Sequence, residues 1–434
     1  MRVTHVITRL IVGGAQENTV ATVLGLQQKR RSQVDLVSGP TTGPEGSLEP
    51  AFASAPHLFK IVPTLVRPVH PANDLLALRN LTRIFRDTKP DIVHTHSGKA
   101  GILGRIAARR AGVPLIVHTI HGPSFGPFQN DLANLVFRFA ERYAARFTTH
   151  FISVADAMTK QYLAAGIGKA DQYTRVFSGF PLAPFLAATN DLALRQKLGI
   201  SPGDFVIGKI ARLFKLKGHD ELFEIAPALV QRCPRIKFLL VGGGEWRGRF
   251  ERLAESSGLK SHFIFTGLIP PAEIPRHVGI MDALVHLSQR EGLPRALPQA
   301  LAAAKPVVAY DCDGAGEICV TNQTGFLIQP GDHVDLRDKL LLLAQDSILG
   351  SQLGKRGREI VKEQFSVERM VENIYELYQE LCAGLSGHAQ SKNASPARRR
   401  DEADSSGDRG RLSLSFPRRL ALRRSVNGSF LRPA

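Results

Sequence analysis

Cysteine is scarce in this sequence. Four residues, Cys233, Cys312, Cys319 and Cys382, are spread over 434 positions, with no Cys-x-x-Cys pair and no histidine tract beside them. That excludes a disulfide framework and points to reduced thiols in a cytosolic protein. Long apolar runs are missing as well: none reaches the roughly 18 residues that span a bilayer. The N-terminus, Met1-Arg2-Val3-Thr4-His5-Val6-Ile7, lacks the apolar stretch and small-residue cleavage site of a signal peptide, so Val3 to Leu10 reads as a first strand. The one tryptophan, Trp246, has no aromatic neighbours in sequence to build a stacking platform.

Acidic residues are outnumbered, 39 against 56 Lys and Arg, for a net charge of +17. The excess is uneven. Residues 1–184 carry +10, residues 185–385 carry 0 and residues 386–434 carry +7. An anionic membrane surface or a phosphorylated substrate suits this distribution. Nucleic acid does not, because the basic residues are scattered and no nucleic-acid module accompanies them.

Short apolar runs alternate with helical patterns. Val3–Ile7, Gln33–Ser38, Ile92–His94 and Leu115–Thr119 read as buried strands, with helices over Thr19–Gln28, Asp74–Thr88, Gly101–Ala111 and Asn130–Arg146. The second half repeats the alternation. Its strands are Phe205–Ile210, Lys237–Val241, His262–Phe265, Ala283–His286 and Pro306–Ala309, and its helices Asp220–Gln231, Arg249–Ser257, Pro298–Ala303 and Val334–Ala344. This is an α/β chain with two doubly wound, Rossmann-like domains facing each other across a cleft. The stretch Phe177 to Phe185, with Gly179, Pro181 and Pro184, breaks both periods and reads as the linker. The expected domains are 1–180 and 186–385, followed by a disordered basic tail, 386–434.

Three segments carry chemistry. Gly13-Gly14 lies between the first strand and a helix, where backbone N–H groups can meet an anion; a plain tight turn reads equally well. Arg212 to His219 follows the strand Phe205–Ile210, and Arg212 and Lys217 can converge on a diphosphate. Each charge is worth up to about 4 kcal/mol at ~4 Å with an effective dielectric near 20. Ser288 to Pro294 follows Ala283–His286, placing Glu291 at a strand end, where it can hold sugar hydroxyls.

In this order the segments resemble family 4 glycosyltransferases. Arg212-x4-Lys217-Gly218, Val241-Gly242-Gly243-Gly244, Phe265-Thr266-Gly267, Glu291-Gly292-Leu293-Pro294, Pro306-Val307-Val308-Ala309 and Gly325-Phe326-Leu327-Ile328 are similar to the family's C-terminal domain. His94 to Gly101 and His118 to Gly122 resemble the N-terminal domain of bacterial members. The resemblance covers residues 3–382. It implies a GT-B fold and transfer of a sugar, with retention, from a nucleotide-sugar (a UDP-sugar) to a sugar or lipid-linked acceptor. Cell-surface polysaccharide or glycolipid synthesis is the implied setting, with no cofactor and no metal.

By position, Arg212 and Lys217 match the diphosphate-binding pair, and Gly13 and Gly14 the glycine turn beside it. Glu291 matches the first Glu of the Glu-x7-Glu motif that binds the donor sugar. Gly292, Leu293 and Pro294 match the segment whose amides meet sugar and phosphate. Leu268 falls near the nucleobase pocket, and His121 matches a histidine beside the transferred sugar. The second Glu of the motif is replaced by Gln299, which keeps an acceptor oxygen for the ribose but loses the charge. That change leaves room for an alternative, a nucleotide-sugar epimerase or a sugar-nucleotide-binding scaffold.

Two patterns admit more than one reading. Asp311-Cys312-Asp313 has the form of a metal-binding triplet, yet it stands where a loop turn is expected. His94, His96 and His118 could form a metal cluster or could be satisfied histidines at strand ends. Arg79, Arg83 and Arg86 share one helix face, as do Arg138, Arg142 and Arg146. Each face is either solvated or laid on anionic lipid, as expected of a cytoplasmic protein peripheral at the inner face of the cell membrane.

Overall fold

This computed structural model describes residues 1–393 apart from 30, 31, 44, 45 and 127; of 386–393 it describes the backbone alone. The first sheet holds β1 (Arg2–Ile7), β2 (Gln33–Ser38), β3 (Phe59–Ile61), β4 (Ile92–His96), β5 (Leu115–Ile120), β6 (His150–Ser153) and β7 (Tyr173–Arg175). Their order is β3-β2-β1-β4-β5-β6-β7, all parallel. The second holds β8 (Phe205–Ile210), β9 (Ile236–Val241), β10 (Phe263–Gly267), β11 (Ala283–His286), β12 (Val307–Tyr310) and β13 (Gly325–Ile328). Its order is β10-β9-β8-β11-β12-β13, again all parallel. Parallel strands buried on both faces require continuous apolar runs, and β5, β11 and β12 are buried at every position.

The helices of the first half are α1 (Gly14–Gln27), α2 (Pro71–Thr88), α3 (Gly98–Ala111), α4 (Asp131–Ala145) and α5 (Asp156–Ala164). Then come α6 (Leu182–Leu186), α7 (Leu192–Lys197), α8 (His219–Arg232), α9 (Arg247–Ser256), α10 (Ile274–Gly279) and α11 (Ala296–Ala302). The chain ends in α12 (His333–Gln345), α13 (Ser347–Gln364) and α14 (Val367–Asn393). Because α14 runs to Asn393, the tail expected from 386 begins as helix; residues 394–434 lie outside the described residues.

In each sheet the strand order reverses direction at one place, between β1 and β4 and between β8 and β11. Loops leaving the carboxyl ends of strands at such a point diverge and open a crevice. Gly13-Gly14 follows β1 and Ser97 follows β4; Arg212 follows β8 and Glu291 follows β11. The topology therefore aims all four at the cleft.

The chain crosses between the halves twice, side by side. The Phe180 amide donates to the Phe365 carbonyl (3.0 Å), and the Phe177 and Phe365 rings stack at 4.7 Å. A Cβ on Gly179 would lie 2.5 Å from the Ser366 carbonyl oxygen, so only glycine fits there. After the second crossing, α14 returns to the first half. Met370, Val371, Ile374, Leu377 and Tyr378 pack into one core with Val3, Ile7, Val20 and Val23. Trp246 does have an aromatic neighbour, Phe250, one turn on, with ring centroids 6.1 Å apart; helical periodicity, not sequence adjacency, supplies it.

Candidate functional site

Three adjoining cavities, of about 710, 580 and 640 Å³, make up the cleft, and Arg212 and Glu291 line all three. Gly13, Gly14 and Lys217 line the first, and His121 and Gly292 the third. Leu268, Leu293, Pro294 and Gln299 line the second, together with Phe180, Phe185 and Ile269. The structure thus brings the residues matched by position to donor and sugar binding to one cleft. The second cavity has an apolar wall suited to a flat ring, and its Leu268 is 60% exposed.

The loop after β8 is shaped by two left-handed residues, Leu216 (φ 67°) and Gly218 (φ 66°). A Cβ on Gly218 would lie 2.0 Å from the Leu287 carbonyl oxygen. The Leu216 carbonyl accepts hydrogen bonds from the Gln289 amide (2.9 Å) and the Ser288 hydroxyl (3.2 Å). The two loops are thereby tied together, and Lys217 forms an ion pair with Glu291. Burial pushes the Glu291 carboxyl up; the Lys217 ammonium, His286 and the Ser288 hydroxyl together outweigh this, and the net direction is down. Arg212 stands exposed at the rim, its guanidinium 5.1 Å from the centre of the Phe214 ring. On the opposite wall α1 presents the start of a 14-residue helix, with Gly13 as its cap. Backbone N–H groups and two cations therefore converge on one space, which is what a diphosphate requires.

Asp313, the second acid of the Asp-x-Asp pattern, is engaged within the chain. Its carboxylate accepts from the Glu291 amide (2.7 Å) and from Gln161 Nε2 (2.6 Å). It fixes the Glu291 loop to α5 across the cleft, in a left-handed backbone (φ 52°). Other contacts also join the halves. Glu317 accepts from the Asp156 and Ala157 amides at the start of α5 (both 2.9 Å), and Arg295 pairs with Glu17 of α1.

His94, His96 and His118 are buried in β4 and β5. His118 Nδ1 bonds to the Thr95 hydroxyl (2.9 Å) and His94 Nε2 to the Thr119 hydroxyl (2.6 Å). Burial lowers the pKa of His94, His96 and His118 well below the usual histidine value, and that of His121 to about 3, so all four are neutral at pH 7.

Sequence reasoning passed over Arg67 and Arg290. Arg67 lines the first and third cavities from a proline-flanked loop that has no periodicity. Arg290 lies in the third cavity, stacked 3.3 Å from the centre of the Phe128 ring, and donates to the Pro123 carbonyl (2.7 Å). Its place directly before Glu291 was the available signal.

Lys209 of β8 was missed too. It is 1% exposed and its Nζ has no hydrogen-bond partner among the described residues. Burial pushes the amine down from 10.5 to about 7; Glu221 and Glu291 oppose that shift and Lys217 adds to it. Between pH 7 and 10.5 the unfolded chain holds a proton that the folded chain has lost, so stability rises with pH across that window. Below pH 7 the buried charge costs the fold several kcal/mol, at about 1.4 kcal/mol per tenfold change in proton affinity. Lys209→Met should therefore raise Tm at pH 7 and flatten the rise between pH 7 and 10.5, as followed by thermal melts. An equal slope in the variant would show that Lys209 is not the group responsible.

Comparison with known proteins agrees with this geometry. Residues 13–177 match the glycosyl transferase 4-like domain, and residues 190–360 match glycosyl transferases group 1. The UDP-Gal:alpha-D-GlcNAc-diphosphoundecaprenol alpha-1,3-galactosyltransferase of Escherichia coli is 30% identical over 321 residues, 73% of this chain and 82% of the relative. The capsular polysaccharide biosynthesis glycosyltransferase CapM of Staphylococcus aureus is 25% identical over 317 residues, 70% of this chain and 81% of the relative. Among solved structures, Anabaena Alr3699/HepE in complex with UDP-glucose superposes with a TM-score of 0.73 at 23% identity, covering 88% of this chain and 100% of that one.

Proposed function

Because this chain belongs to the GT-B glycosyltransferases, transferring sugar from a nucleotide-sugar donor, we propose that it is a retaining, metal-independent hexosyltransferase of family 4. The donor is a UDP-sugar and the acceptor a lipid-linked diphosphate saccharide, in the making of a cell-surface polysaccharide or glycolipid. The Escherichia coli relative, whose name specifies UDP-Gal and a diphosphoundecaprenol acceptor, supports both assignments. The observation that carries the reading is the convergence of Arg212, Lys217, Glu291 and the start of α1 on one cleft.

In this reading residues 1–180 take the acceptor and residues 186–385 the donor. The bond between the anomeric carbon and the β-phosphate oxygen breaks as the acceptor oxygen attacks from the same face. The acceptor's proton passes to the leaving diphosphate, whose charge Arg212 and Lys217 neutralise. Glu291 holds the sugar hydroxyls and His121 steadies the ring. Gln299, Leu268 and their neighbours seat the nucleoside. Side-chain cations supply the charge that a metal would otherwise bring, and Asp313 is engaged with the Glu291 loop. Mass spectrometry of products from a nucleotide-sugar panel with lipid-linked acceptors, in EDTA, tests this. A glycoside with inherited anomeric configuration, formed from a UDP-sugar, is the expected product. An epimerised donor, or binding without product, would favour the epimerase or scaffold alternative.

We further propose that the protein works at the inner face of the cell membrane, docked through α4. Among the described residues no helix is long and apolar enough to cross a membrane. The surface expected from sequence was an arginine face. On α4 only part of it is free: Arg138 is partly buried, and Arg142, though exposed, is tethered by its Nε to the Ala165 carbonyl (2.6 Å). Beside it the outward stripe is apolar, with Leu132, Leu135, Val136, Phe139 and Tyr143 between 44% and 72% exposed. They recur at i, i+3, i+4, i+7 and i+11, one face of the helix. The opposite face is pinned by Glu141, whose carboxylate meets Arg105 in a fully buried pair at 2.5 Å. Exposed Arg146 flanks the stripe, and Phe137 reaches the cleft mouth. An apolar ridge beside arginine suits the surface of an anionic bilayer. Co-sedimentation with anionic vesicles should show binding that weakens with salt and is lost in Leu135→Asp/Phe139→Asp. Binding that survives this change but vanishes without residues 386–434 would move the docking to the tail.

A further inference from the structure

His121 is the outer end of a buried chain of imidazoles. Its Nε2 lies 3.0 Å from His96 Nδ1, and His96 Nε2 lies 2.9 Å from His5 Nδ1. His5 Nε2 meets the Tyr378 hydroxyl at 3.5 Å; that hydroxyl meets His94 Nδ1 at 2.5 Å, and His94 Nε2 meets the Thr119 hydroxyl at 2.6 Å. His5, His94, His96 and Tyr378 are each at most 1% exposed. Five strand-borne or strand-end groups and one group from α14 thus form an unbroken line from the core to the cleft. The ligand nitrogens of His5, His94 and His96 also lie within 4.8 Å of one another, close enough to suggest a metal. Each of these nitrogens already has a hydrogen-bond partner in the chain, which accounts for them without an ion.

A neutral imidazole has one donor and one acceptor nitrogen. A chain of neutral imidazoles therefore has a direction, and fixing one member fixes all. If Tyr378 donates to His94, it accepts from His5, and every histidine carries its proton on Nε2. If Tyr378 donates to His5, it accepts from His94, and every histidine carries its proton on Nδ1. Either way the nitrogen of His121 left outside the chain, Nδ1, has a single role: acceptor in the first case, donor in the second.

We propose that His96, His5 and Tyr378 are positioning residues that lock the tautomer of His121 to those of the buried histidines, so that its Nδ1 meets the transferred sugar in the single sense that the whole line adopts. The chain also links His121 to α14, the helix that follows the second crossing between the halves. That His121 touches the sugar rests on the function proposed above; the locked tautomer does not. Burial keeps all four rings neutral, which the direction of the chain requires.

Imidazole ¹⁵N shifts of the full chain labelled at histidine test the lock directly. His5, His94, His96 and His121 should share one tautomer at pH 7; a mixture of tautomers among the four, or a protonated member, overturns the proposal. Tyr378→Phe removes only the hydroxyl. It should leave His121 in mixed tautomers and lower kcat roughly 5- to 10-fold, the size of one hydrogen bond, with nucleoside diphosphate affinity unchanged. A folded variant with the native His121 shifts and native kcat overturns it as well. Should Tyr378→Phe fail to fold, His96→Asn keeps a group facing His121 and removes the link to His5, and the same split is expected. If no glycoside is formed by the wild type, the shifts still decide the lock while the transfer reading alone fails.

Discussion

Arg212→Ala and Lys217→Ala should each lower the transfer rate by roughly 10²-fold or more, since losing ~3 kcal/mol of charge stabilisation at a leaving diphosphate is about two decades. The two variants should differ in every other respect. Arg212 is exposed, so its removal should cost less stability than that of the partly buried Lys217. Lys217 is the ion-pair partner of Glu291 and a donor to the Ser288 hydroxyl (3.4 Å). Without it, a carboxylate in a partly buried cleft loses its counter-charge, and stability should fall by about 1–3 kcal/mol. Because burial raises the Glu291 carboxyl and Lys217 lowers it, the acid limb of the rate profile should move to higher pH in Lys217→Ala and stay in place in Arg212→Ala. Single-turnover rates against pH, with thermal melts, separate the two. Near-normal turnover in either folded variant would remove that residue from the diphosphate clamp.

Strands were legible where they are buried. Phe205–Ile210 and Ala283–His286 have the expected bounds, because a strand covered on both faces must be an apolar run. The strands that escaped notice are short or at the edges. Phe59–Ile61 is largely exposed, Tyr173–Arg175 is half polar, and His150–Ser153 follows two threonines. The first helix starts at Gly14, five positions before Thr19, because a helix start that faces an open cleft has glycine where a capping side chain would otherwise announce it. The return of α14 to the first sheet was hidden for another reason. An amphipathic pattern reveals that a face is buried, but not which sheet buries it.

The site was legible to the extent that its residues sit in contiguous motifs. The histidine line is of the opposite kind. His5 and His94 are 89 positions apart, and only the parallel register of β1 against β4 sets them side by side. His94 and His96 against Val117 and Thr119 follow from the register of β4 against β5. The positive φ values of Ser97, Leu216 and Asp313, each at the cleft, are likewise invisible in composition. Strain of this kind gathers where the surrounding structure must hold a side chain in place for function.

Gly292→Ala should be strongly damaging to turnover. A Cβ at this position would lie 1.9 Å from the His121 carbonyl oxygen, 2.5 Å from its carbonyl carbon and 3.0 Å from the Gly122 nitrogen. These are backbone atoms of the opposite wall, so no rotamer change relieves the overlap. The loop bearing Glu291 and the loop bearing His121 must part by about 1 Å or more to reach van der Waals contact. Displacements of that size between groups that share a substrate cost about 10²-fold in rate. The expected result is a fall of roughly 10²-fold in kcat/KM. The two loops follow strands of separate sheets, and the strands themselves are not displaced, so Tm should fall less than activity does. Nucleoside diphosphate affinity should change less, because Arg212, Gln299 and Leu268 keep their places. Gly203→Ala is the matched control: an exposed glycine whose added Cβ would meet nothing within 4 Å. It should behave as wild type in the same assay. Full activity in Gly292→Ala would mean that turnover does not need the closed approach of His121 to the Glu291 loop, and the placement of His121 beside the sugar would fall with it.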